Sequence, residues 1–126
     1  MREGGQPERP AVHVLSVAAG PVEREVLAGI EEEGVPFVLG RPAADTDADE
    51  LAHTAARGSP LDVGVGIDRH GRVCIRHEML TAPMPDLECD GGASVDAARA
   101  AGHNAARIVV GVPLRLSPTV ARSAAT

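Results

Sequence analysis

Residues 11–39, AVHVLSVAAGPVEREVLAGIEEEGVPFVL, hold the pattern from which the fold is read. Residues 11–18 (AVHVLSVA) are short, apolar and β-branched, and Gly20-Pro21 ends them, as expected of a buried strand. Residues 22–33 then carry apolar side chains at helical spacing, and Gly34 stands where a helix C-cap favours glycine. Residues 35–39 (VPFVL) make a second short strand, with Pro36 placing it at an edge or at the strand's start. Strand, helix and strand in this order predict parallel pairing through a right-handed crossover.

The pattern continues outward. Residues 45–57 are rich in Ala and Asp and predict a helix ending near Gly58. Residues 61–67 (LDVGVGI) and 72–77 (RVCIRH) flank the turn Asp68-Arg69-His70-Gly71, which reads as an antiparallel return. Residues 81–92, with Pro83, Pro85 and two glycines, read as a loop. Ser94 can N-cap a helix running to about Val110, with Gly111 and Pro113 as its stop. Gly102 weakens the interior of that helix, so its regular part is expected nearer His103. Residues 112–116 (VPLRL) make a last short strand. We therefore expect one α/β domain over residues 11–116, a layered sandwich with a mixed, mostly parallel sheet and flanking helices. Residues 1–10 and 117–126 read as polar tails.

Composition narrows the function. Phe37 is the only aromatic residue of 126, so a stacking platform for bases or sugars is excluded and the core must be aliphatic. A formal net charge of −6 opposes non-specific attraction to nucleic acid or anionic lipid. The start of the chain does not read as a signal peptide, and no apolar run has membrane-spanning length. A cytoplasmic protein is expected. Cys74 and Cys89, fifteen positions apart, form no CxxC motif.

Two helix faces stand out. With about 100° per residue, Val22, Val26, Leu27 and Ile30 gather on one side, and Glu32 points nearly opposite with Glu25 close to its line. Ala28 and Gly29 lie between those acids, a face that lets another surface approach closely. Glu31, Glu32 and Glu33 also crowd the end of the helix where its dipole disfavours negative charge, at about 0.3–1 kcal/mol each when exposed. Such a run calls for a cation, from a partner's Arg or Lys or from a metal; an ordinary solvated acidic end is the alternative. In the helix from Ser94, Ala98, Ala101, Ala105, Ile108 and Val109 make the apolar side, while Arg99, His103 and Arg107 recur every four residues on another face. That stripe suits an acidic partner surface, or simple solvation.

Other motifs carry less. Gly64-Val65-Gly66 lies within an apolar run and lacks the third glycine or the GK[ST] of a phosphate loop, so small strand residues beneath a helix are the better reading. Asp68, His70, His77 and Glu78 could form a metal or acid–base cluster, yet polar residues are common in such turns. Neither Ser16 nor Ser59 has a nucleophile-elbow context.

Three segments together resemble the small subunit of diol/glycerol dehydratase reactivases: GIEEEGVPF at residues 29–37, SPL at 59–61 leading to DRH at 68–70, and GHNAARIV at 102–109 closing with Gly111-Val112-Pro113. Val110 and Leu114 depart from the lysine and phenylalanine that the family often carries there. The resemblance implies a non-catalytic chain, similar to part of the dehydratase medium subunit, that works with a large ATPase subunit in a heterotetramer of two large and two small subunits. It implies ATP or ADP on that large subunit and adenosylcobalamin on the client dehydratase, with damaged cobalamin released by subunit exchange. It places Glu32 on a magnesium ion held mainly by the large subunit; the two helix faces read above add Glu25, Ala28, Gly29, Glu31, Arg99, His103 and Arg107 as expected partner-binding residues. The setting it implies is the cytoplasm or a bacterial microcompartment. Two other functions compete: a medium subunit of the dehydratase itself, against which the short tail before residue 11 speaks, and a free-standing small metal-dependent enzyme, for which no ligand spacing is convincing.

Overall fold

The computed structural model describes residues 10–17, 19–78, 88–89 and 94–110. Five strands and three helices follow one another as β1 (Val12–Ser16), α1 (Pro21–Glu32), β2 (Phe37–Gly40), α2 (Ala48–Gly58), β3 (Val63–Ile67), β4 (Val73–His77), β5 (Glu88–Cys89) and α3 (Val95–Val110). The sheet order is β2-β1-β3-β4-β5. β1 pairs in parallel with β2 (Val12 opposite Phe37) and with β3 (His13 opposite Gly64), whereas β4 is antiparallel to both β3 and β5. Only β4 runs against the rest, so the sheet is mixed and mostly parallel, as the sequence pattern predicts.

Local signals act where expected. Pro21 opens α1, and Gly34 turns the chain out of it with φ of 78°. Asp47 caps α2 by accepting from the Glu50 amide at 2.8 Å, and Ser94 does the same for the Ala97 amide at 3.1 Å. Pro36 precedes β2, which is an edge strand. Two expectations are corrected. Glu88 and Cys89, read as loop, pair with β4; a two-residue strand is too short to show a period. And α3 is regular from Val95 through Gly102, because that glycine is needed for packing. The strand expected at residues 112–116 lies outside the described residues.

Alternation along the strands sorts the helices. Val12, Val14, Val63, Val65, Ile67, Val73 and Ile75 join Val26 and Ile30 of α1 and Ala98, Ala101, Ala105 and Ala106 of α3 in one core. The opposite face carries Gly64 and Gly66, and there α2 lies almost on the sheet: a β-carbon on either glycine would overlap α2 backbone at Ala52, Ala56 or Ala48. Gly64 and Gly66 thus make room for a helix, and Cys74 packs as a buried thiol with Ala48 and Ala52 beside them. The aromatic-poor composition is compensated by close approach, since small residues bring backbones together and add dispersion contacts.

The same device joins α1 to α3. A β-carbon on Gly29 would overlap the Arg99 carbonyl oxygen and lie 2.9 Å from the His103 nitrogen; one on Gly102 would overlap the Val26 carbonyl oxygen and lie 3.0 Å from the Ile30 nitrogen. Alanine is favoured over glycine in a helix by about 1 kcal/mol, but forcing backbones apart in a packed core costs about 1–3 kcal/mol or more. Gly29→Ala and Gly102→Ala should therefore each lower stability in urea unfolding, and a gain in either would show that the helices are not held this close.

At the carboxyl ends of β1 and β2 the buried Glu23 carboxylate faces Arg41, with Nη2 to Oε2 at 3.3 Å and a closer contact from Nη1, while Nη1 also donates to the Ser16 carbonyl at 3.2 Å. Burial pushes the Glu23 carboxyl up, but the bonds from Arg41 and Ser16 and the charges of Arg41 and Arg24 outweigh it and hold it below its ordinary value. The stabilisation is then complete above the unfolded carboxylate pKa and is lost as pH falls through the lower folded value. Glu23→Gln should cost roughly 1–2 kcal/mol at neutral pH, as for a charge-assisted bond partly open to water. The difference from the parent protein should shrink below the carboxylate range; a constant difference across pH would refute the assignment.

Candidate functional site

The charged faces of α1 and α3 meet each other. Glu25 Oε1 accepts from Arg99 Nε at 2.7 Å, and Glu32 Oε2 accepts from Arg99 Nη1 at 2.6 Å. The other Glu32 oxygen lies 2.8 Å from His103 Nε2, and His103 Nδ1 lies 2.6 Å from Glu33 Oε2. Arg107 Nε donates to that same Glu33 oxygen at 3.0 Å. The acidic and basic stripes, expected to face a partner's charges, thus pair with one another. Here the cations that the acidic run calls for come from α3 of the same chain.

The backbone explains how. Gly29 and Gly102 bring the axes close enough for side chains on both flanks of the contact to reach across, and an i, i+4 spacing on α3 matches one acid after another on α1. Gly29 is buried beneath α3, so the surface that the small residues admit is α3 itself. Ala28 is half-buried, whereas Glu31 and Glu32 are exposed at the rim.

Gly102 belongs to this seam, although sequence reasoning assigned it no such role, and Glu33, read there as one of an acidic run calling for a cation, meets His103 and Arg107 of α3. Glu33 sits at the C-cap with its backbone still in the right-handed helical region, four residues after Gly29, so helical spacing carries its carboxylate to the α3 side. The signal for Gly102 was its place between Arg99 and His103; read against propensity alone it marks a weak helix, read against Ala28-Gly29 it marks a crossing. The His103 hydrogen bond, followed by that of Arg107, holds the Glu33 carboxyl below its ordinary value despite the opposing effect of burial. The hydrogen bonds to Glu25 and Glu32 raise Arg99 above its already high value. His103 is buried with a carboxylate oxygen at each ring nitrogen; a ring protonated at both nitrogens donates to both.

Away from the seam the chemistry is structural. Asp68 Oδ1 accepts from the His70 amide at 2.9 Å and the Arg72 amide at 3.0 Å, closing the turn between β3 and β4. His77 stands opposite Val63 in the sheet. Among the described residues no group of three or more His, Cys, Asp or Glu could hold a metal ion by itself. None of the described helices is long and apolar enough to cross a membrane. Where parallel strands and crossovers leave a ligand crevice at the carboxyl ends of β1 and β2, the Glu23 carboxylate sits in the first turn of α1 and meets its dipole from within.

Comparison with known proteins covers the same ground. Residues 9–115 match the family described as dehydratase medium subunit. The chain is 45% identical over 91 residues to the propanediol dehydratase-reactivating factor small subunit of Salmonella typhimurium, a match covering 72% of this chain and 77% of that one. A structure of diol dehydratase-reactivating factor complexed with ADP and Mg2+ superposes with a TM-score of 0.74 at 38% identity, covering 86% of this chain and 99% of the other. A glycerol dehydratase reactivase superposes with a TM-score of 0.77 at 32% identity, over 85% and 97%. With a family match over residues 9–115 and identities of 32–45% spread over most of both chains, the chain belongs to the family of diol and glycerol dehydratase-reactivating factor small subunits.

Proposed function

We propose that this chain is the exchangeable small subunit of an ATP-dependent reactivating factor for an adenosylcobalamin-dependent diol or glycerol dehydratase. It acts by binding and leaving partners and catalyses nothing by itself. ATP hydrolysis belongs to a large partner subunit, in an assembly of two large and two small subunits. When this chain leaves, the dehydratase's own medium subunit takes its place, damaged cobalamin escapes and intact adenosylcobalamin enters. The cytoplasm, or a microcompartment within it, is the setting.

The observation that carries this reading is the half-exposed carboxylate of Glu32, set on a seam that neutralises its other charges internally. Carboxylate oxygen suits magnesium, which keeps near-octahedral oxygen coordination and takes one or two protein carboxylates alongside other ligands. The described residues supply no closed ligand set, so a magnesium ion bound here would be held mainly by the partner, with Glu32 adding one ligand. Bound magnesium would supply an electrostatic bridge between the subunits. Glu31 adds negative charge beside it, Ala28 keeps the outer ridge of α1 low for a close approach, and Glu25, Arg99, His103 and Arg107 hold the helix pair at the rim in one geometry. A partner surface placed against Ala28, Glu31, Glu32 and Arg99 would touch both helices at once.

A second reading, a medium subunit of the dehydratase itself, is favoured by one observation, the description of the matching family. Co-expression separates the two. We expect this chain to co-purify with the reactivase large subunit of its own source, and the complex to restore a glycerol-inactivated dehydratase given ATP, magnesium and adenosylcobalamin. Incorporation into the dehydratase with no large-subunit complex would favour the second reading. Glu32→Ala should weaken association with the large subunit about tenfold or more in magnesium, each tenfold being about 1.4 kcal/mol, and should have little effect without it. An unchanged affinity in both conditions would remove Glu32 from the interface.

A further inference from the structure

The three carboxylates of the seam are not equivalent. Among the described residues Glu25 holds only Arg99, whereas Glu33 holds His103 and Arg107. Glu32 holds Arg99 and His103, each of which has a second acceptor, Arg99 in Glu25 and His103 in Glu33. Withdrawing Glu32 therefore leaves Arg99, His103 and Arg107 each with a carboxylate. Withdrawing Glu25 would leave Arg99 dependent on Glu32, and withdrawing Glu33 would take from Arg107 the carboxylate it bonds here. Exposure follows the same order: the Glu32 side chain is 48% exposed, against 22% for Glu25 and 17% for Glu33.

We infer that Arg99 is an internal competitor for Glu32, holding its carboxylate until an external divalent cation takes it, and that Glu25 is where the Arg99 charge then rests. This rests on the reading of Glu32 as a ligand to a cation at the large-subunit interface. The electrostatics set the sign. A guanidinium 2.6 Å from one carboxylate oxygen repels a dication approaching the same group, and like charges a few Å apart at a half-exposed site interact strongly enough to shift an equilibrium about tenfold. Because Glu25 retains the displaced guanidinium, the exchange buries no uncompensated charge. Subunit association is thereby linked to magnesium through Glu32, Arg99 and Glu25 of this chain, and departure of the subunit is assisted by Arg99 reclaiming Glu32.

The test measures the affinity of the full chain for the large subunit in magnesium and in EDTA, and takes the ratio as the readout. Arg99→Gln keeps donors towards both acids without the charge and should raise that ratio roughly three- to tenfold. Glu25→Gln weakens the resting place of the guanidinium, ties Arg99 more closely to Glu32 and should lower the ratio. Both variants weaken the same Glu25–Arg99 pair, so a purely structural role would move them in the same direction. Opposite shifts support the inference, whereas equal or absent shifts overturn it provided that Glu32→Gln abolishes the magnesium dependence. If Glu32→Gln keeps that dependence, the cation-ligand reading of Glu32 fails first and the competition falls with it.

Discussion

Helices α1 and α3 meet backbone against backbone at Gly29 and Gly102, and that contact sets the reach of every charged side chain on this face. A methyl group at either position would part the helices, and the hydrogen bonds at 2.6–3.0 Å between α1 acids and α3 bases depend on their being close. Short bonds between charged groups are the stronger kind, but at a half-exposed rim each is worth little alone. Their collective effect is geometric: five charged side chains and a histidine are held in fixed relation, with one carboxylate at the rim.

The rest of the fold repeats this economy in another place. The chain has one aromatic residue and packs Ala-rich helices on a sheet of Val, Ile and Gly. On the α2 side Gly64 and Gly66 admit the helix backbone; on the α1 and α3 side branched side chains fill the layer. Such a core holds its free energy in dispersion between closely approached backbones and small side chains, so it has little tolerance for added volume.

An interface that is made and broken in a working cycle benefits from charges already satisfied in the free subunit. An unpaired acidic run on one helix and an unpaired basic run on another would bind many surfaces; paired with each other, they leave a partner only the exposed groups at the rim to recognise. In the proposed role, the family's partner would engage a preorganised helix pair and exchange one ion pair, without having to neutralise a whole stripe. Preorganisation of this kind lowers the ordering cost of association without requiring that association be irreversible.

Much of this was legible in the residues. The strand–helix–strand run at 11–39 set the parallel start of the sheet, Asp68-Arg69-His70-Gly71 set the antiparallel return, and Asp47 and Ser94 marked their helix starts, because strand period, turn chemistry and caps are local properties. The segments 29–37, 59–70 and 102–113 carried the family as well. What no local reading could decide was which way the two charged stripes face. A helical wheel places Glu32 away from the sheet but says nothing of a second helix on the same layer, and propensity counts Gly102 as a weakness when its function lies in the crossing. Glu33 was read as an acid in need of a cation, but that His103 and Arg107 of the same chain would supply its partners depends on where α3 lies. By itself the sequence determined the elements, their order and the kinship of the chain. The tertiary structure alone decided that acids and bases some 70 residues apart neutralise each other, because charge pairing depends on distance in space and here that distance is set by two glycines.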